Sequence, residues 1–127
     1  MTPIALMQKA DRALESSALL LQRGDVDGAC NRAYYAMFDA ARAALLAANA
    51  PVEAEASRTH SGLIAAFSLH LVKPGLVALE HGRALNKVED LRLIADYKGD
   101  EITADRAAWA LEQASKFVSA VRIALKI

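Results

Sequence analysis

The chain has one cysteine in 127 residues, which excludes a disulfide within it. Cys30 lies among apolar positions and reads as a small core residue, not a reactive thiol. That usage fits a reducing cytoplasm, the compartment expected here. An excess of one charge is also missing, since Lys plus Arg is 15 and Asp plus Glu is 15. A balanced chain has no long-range pull on nucleic acid or on an anionic membrane, so a nucleic-acid partner would need a local cluster. No run approaches the ~20 uninterrupted apolar residues of a membrane span, and no membrane partner is expected. The opening MTPIALMQKADR has an acidic residue early and no long apolar stretch, unlike a secretory signal. The three histidines, His60, His70 and His81, form neither a His-x-x-x-His pair with a glutamate nor a Glu-x-x-His motif. With no Cys/His zinc spacing and no glycine-rich phosphate loop, no metal or other cofactor is expected.

What is present is apolar and helical. Hydrophobic residues make up 54%, enough for one folded domain over residues 1–127. Breaks fall at RGDVDG (23–28), NAPVEAEAS (49–57), KPG (73–75) and KGDEIT (98–103). Gly24 is placed to end one helix, Asp25 or Asp27 to cap the next, and Thr103 to cap the last. Five segments of helical length lie between them, at about 3–23, 26–48, 58–72, 76–97 and 103–126, and nothing reads as a strand. The short first turn makes the opening pair an antiparallel hairpin. Ile4, Met7, Leu14, Ala18 and Leu21 share one side of the first helix. Ala107, Ala110, Leu111, Ala114, Val118, Val121 and Leu125 share one side of the last. Trp109, Ala120 and Ile123 form a second apolar strip there, which another helix or another subunit must cover.

The second helix carries a narrow polar band. At ~100° per residue, Asn31, Arg32, Tyr35, Asp39, Arg42 and Asn49 fall within roughly 100° of arc, and the other sides are apolar or alanine. A solvated face would suit this, with Asp39 and Arg42 spaced as an i,i+3 pair. The band has no lysine or glutamate, however, and arginine suits planar contacts to carboxylate or phosphate. A partly buried polar groove is the second reading.

A second constellation is LRLIADY. Arg92 shares the fourth helix's apolar sector with Val77, Ala84, Val88, Leu91 and Ala95, so it needs a partner. Asp96 can supply one and Asp39, across the bundle, another. Either an Arg–Asp clamp fixes helix packing, or Arg92, Asp96 and Tyr97 line a pocket for a phosphate or a partner group. His60, near the start of the third helix, reads as a packed or capping histidine, with a proton-transfer role as the alternative.

Taken in order, NRAYYAMFDAARAALLAAN, RTHSGLIAAF, LRLIADY and AWALEQASKFVSAV resemble the HEPN domain family (higher eukaryotes and prokaryotes nucleotide-binding), especially its small stand-alone prokaryotic members. The resemblance runs from about residue 8 to 122. It implies an all-α, up-and-down four-helix bundle with an additional short helix, usually a homodimer. It also implies a nucleotidyltransferase-type protein partner in a toxin–antitoxin or defence-like module. Active members are metal-independent ribonucleases that use an arginine and, four to six residues on, a histidine. The matching arginine is Arg92, and the residues that follow at this spacing, Asp96, Tyr97 and Lys98, include no histidine.

Three functions follow. The first is a non-catalytic or altered-site HEPN binding module that holds nucleotide or RNA in a cleft lined by Arg92, Asp96, Tyr97, Arg32, Tyr35, Asp39 and His60. The second is a ribonuclease toxin with His60 or Tyr97 as a non-standard base. The third is a structural adaptor whose charges only hold each other. The polar band of the second helix is expected to face the same cleft as Arg92.

Overall fold

A computed structural model describes residues 1–53, 55–98 and 101–127. Ala54, in the expected loop 49–57, and Gly99 and Asp100, in the expected break 98–103, lie outside the described residues. Among those described, every regular element is helical. The helices are α1 (Pro3–Gln22), α2 (Val26–Ala47), α3 (His60–Phe67), α4 (Leu79–Leu93) and α5 (Ala104–Leu125). A short 3-10 turn, Ala56–Arg58, precedes α3. Each of α3 and α4 runs on into a wider π-helical turn, at Ser68–Val72 and Ile94–Lys98.

Local chemistry sets the ends. The Thr2 hydroxyl accepts from the Ala5 N–H, with Pro3 in the first turn of α1. Gly24 has φ 87°, the left-handed conformation that suits glycine after a helix. Asp25, not Asp27, caps α2 by accepting from the Gly28 N–H at 2.9 Å. Thr103 caps α5 through the Arg106 N–H. The fourth helix starts at Leu79, later than expected. The Val77 N–H donates instead to the Leu71 carbonyl, which holds Val77 in the core.

α2 is the central helix. It contacts α1, α5, α4 and α3, while α1 and α4 occupy opposite corners of the bundle. Its buried residues run around most of its circumference, from Ala29, Cys30 and Ala33 through Tyr34, Met37 and Ala40 to Ala44 and Leu45. The many alanines let neighbouring backbones approach closely. This shifts the inner face of α1 from the expected one. Leu6, Met7, Ala10, Ala13 and Ser17 are buried, whereas Ile4 is 62% exposed and Ala18 faces solvent. Small residues dominate where α1 meets α2, and the buried Ser17 hydroxyl donates to the Ala29 carbonyl at 2.7 Å. On α5 the expected face holds, with Phe117 added to it. No helix among the described residues is long and apolar enough to cross a membrane.

Candidate functional site

α3 reaches the site through its own cap. The Thr59 hydroxyl accepts from the Gly62 N–H at 3.0 Å and donates to the Ala56 carbonyl at 3.3 Å. A Cβ on Gly62 would overlap that carbonyl, so the turn needs glycine. RTHSG is therefore a capping device that places His60 as the first residue of α3, beside α2. There His60 Nδ1 and the Tyr34 hydroxyl share a hydrogen bond of 2.7 Å. The imidazole also packs against Tyr34, Tyr35 and Phe38, with ring centroids 5.4, 5.8 and 5.1 Å away.

From the other side α4 presents Arg92, which is 3% exposed. Its Nε and Nη2 donate to the two oxygens of Glu89, each at 2.9 Å. Its Nη1 donates to Asp96 Oδ2 at 3.2 Å. The same Asp96 oxygen accepts from Asn31 Nδ2 on α2 at 3.1 Å. The guanidinium sits 4.9 Å from the Tyr34 ring, 5.8 Å from Tyr35 and 5.9 Å from Tyr97. Hydrogen bonding to Glu89 raises its pKa against the opposing effect of burial, so Arg92 stays charged. Burial first, and then the Glu89 charge, push the Tyr34 phenol up and keep it protonated.

The rim is more open. Tyr97, carried on the π-helical turn, is 74% exposed. Arg32 lies 5.2 Å from the Tyr35 ring and donates to Asn31 Oδ1 at 3.3 Å. Two carboxylates around one guanidinium leave the floor with a formal surplus of one negative charge, which Arg32 offsets. Among the described residues no three His, Cys, Asp or Glu side chains gather as metal ligands.

Of the seven residues expected to line the cleft, the structure brings together Arg92, Asp96, Tyr97, Tyr35, Arg32 and His60. Asp39 lies apart. It is buried, and the cations acting on it are Lys9 of α1, Arg42 and Arg32. Asp39 is not the second partner of Arg92; Glu89 is, because it sits one turn back on the same helix. Nor does Asp39 form the expected pair with Arg42, whose guanidinium lies instead 6.0 Å from the Phe38 ring. Burial raises the Asp39 carboxyl pKa. Sequence reasoning missed Tyr34, Phe38 and Glu89. The i,i+3 spacing of Glu89 and Arg92 was the available signal for the last.

Comparison with known proteins agrees with this architecture. The HEPN domain family model matches residues 5–124. A protein of Gloeobacter violaceus named "UPF0332 protein" is 39% identical over 74% of this chain and 71% of its own length. A protein of Methanocaldococcus jannaschii named "Putative toxin" is 34% identical over 96% of this chain and 87% of its own length. A second such protein of the same organism is 29% identical over 90% of this chain and 75% of its own length. With the match spanning nearly every helix described above, the chain belongs to the HEPN domain family.

Proposed function

We propose that residues 1–127 act as one non-catalytic or altered-site HEPN binding module, a homodimer that holds nucleotide or RNA at the rim of the α2–α3–α4 cleft. In this reading it works in the cytoplasm, beside a nucleotidyltransferase-type protein in a toxin–antitoxin or defence-like module. The names of the two Methanocaldococcus relatives support the toxin side of that assignment. One observation carries the binding reading: every terminal nitrogen of Arg92, and its Nε, already donates to Glu89 or Asp96. A guanidinium engaged this way cannot take up the charge that develops on a scissile phosphate without breaking a buried ion pair. It shapes the floor, and the contacts left for a ligand are the Tyr97 and Tyr35 rings, the Arg32 guanidinium and the His60 imidazole.

The test is a titration of purified protein with labelled single-stranded RNA and with AMP. Arg32→Gln and Tyr97→Ala are expected to weaken binding, with the RNA recovered intact. The ribonuclease reading is favoured by one feature, the shared seat of His60 and Arg92 on Tyr34. Cutting of the RNA by the wild-type protein, lost in both His60→Ala and Arg92→Ala, would replace the binding reading with that one.

A further inference from the structure

Arg42 ends the line of arginines on α2, two turns beyond Tyr35. It is half-buried, and among the described residues it makes no hydrogen bond and no ion pair; its one contact of note is the Phe38 ring. Asp39 lies close enough to interact electrostatically but not within ion-pair distance. Among the described residues no side-chain nitrogen shut off from water lacks a partner, so the Arg42 guanidinium reaches solvent, where its planar fork of donors suits phosphate.

Arg42 lines a cavity of about 350 Å³ between the end of α2 and the start of α3. Leu45, Leu46, Val52 and Leu63 give it apolar walls, and Asn49 and Ser57 add polar groups to the lining. Asn49 is held there by its backbone. It takes the left-handed conformation after the helix, φ 52°, while its N–H donates to the Leu46 carbonyl and the Ala50 N–H to the Leu45 carbonyl. A largely apolar slot with an amide, a hydroxyl and one guanidinium in its lining matches a nucleobase and its phosphate.

A chain of side-chain contacts links Arg42 to the cleft. Phe38 touches both Arg42 and His60, and His60 touches Tyr34 and Tyr35, on which Arg92 rests. Arg42 lies about 10 Å along α2 from Tyr35, too far for one phosphate to serve both places. We propose that this cavity is a second nucleotide subsite: it takes the base, and Arg42 the phosphate, of a residue flanking the one held at the Arg92 cleft. The ligand is therefore an oligoribonucleotide and not a mononucleotide. This rests on the binding reading above and extends it to the length of the ligand.

Fluorescence anisotropy with labelled AMP, a diribonucleotide and an octaribonucleotide tests it. Affinity is expected to rise from AMP to the octamer. Arg42→Gln should weaken the octamer by about tenfold and lower the steepness of its salt dependence by about one, leaving AMP unaffected. Leu46→Trp, which fills the slot and keeps every charge, should give a similar loss for the octamer. Wild-type affinity for the octamer in both variants, with Arg32→Gln still weakened, would overturn the subsite and leave the cleft reading standing. No binding of any of the three by the wild-type protein would overturn both.

Discussion

Glu89 grips Arg92 through two hydrogen bonds, both 2.9 Å, on one buried turn of α4. The pair is a fork-to-fork contact between a planar guanidinium and a carboxylate, the strongest geometry available to these groups. Removing one partner leaves the other charged inside the protein. Glu89→Ala is therefore expected to cost about 3–5 kcal/mol of stability, read from urea midpoints. Asp96→Asn, at the more open end of Arg92, should cost no more than about 1 kcal/mol. Equal losses in the two variants would show that the buried pair has no special part in the floor.

Tyr97 lies against Arg92 but stands mostly in solvent. Tyr97→Ala should change stability by no more than about 0.5 kcal/mol. If the ring is a stacking platform, the same variant should lose about 1–3 kcal/mol in binding an octaribonucleotide. A loss of stability with unchanged binding would make Tyr97 a packing residue.

The Asp39 carboxyl titrates above its usual range because it is buried. The folded state therefore holds this proton at pH values where the unfolded chain has released it. Stability falls as pH rises through the window from the unfolded value, about 3.9, to the raised folded one, and stays lower above it. Asp39→Asn removes that cost. The variant should have a higher urea midpoint than wild type at neutral pH, and the gain should vanish below about pH 3. A lower midpoint at neutral pH would mean that attraction to Lys9, Arg32 and Arg42 outweighs burial.

On α5, Ile123 is 79% exposed, on the same strip as the half-buried Trp109. If a second copy of the chain covers this strip, light scattering at micromolar concentration should give a dimer. Ile123→Glu should then shift it to monomer while the fold measured by circular dichroism persists. A wild-type monomer would refute the dimer, and a dimeric variant would move its interface elsewhere.

Sequence alone determined the features whose causes are local. Helix ends are read from residues a turn apart, so Gly24 and Thr103 could be placed from spacing and the α2 cap narrowed to Asp25 or Asp27. The same holds for the i,i+4 pair of Arg92 and Asp96. The ordered blocks from NRAYYAMF to AWALEQ likewise carried the family and with it the all-α bundle. Tertiary structure decided which faces are covered. In an alanine-rich helix many sides are small enough to pack, so Met7, Leu14 and Leu21 of the expected α1 stripe meet the core while Ile4 and Ala18 face solvent, and Ala10, Ala13 and Ser17 join the contact. Tyr34 and Tyr35 are neighbours in sequence, yet only packing shows that Tyr34 joins His60 to Arg92. Asp39 lay on the expected polar band, but the close approach of α1 turned its part of the band inward, away from the cleft. A polar residue's role depends on what packs over it, and that is set by helices distant in the chain.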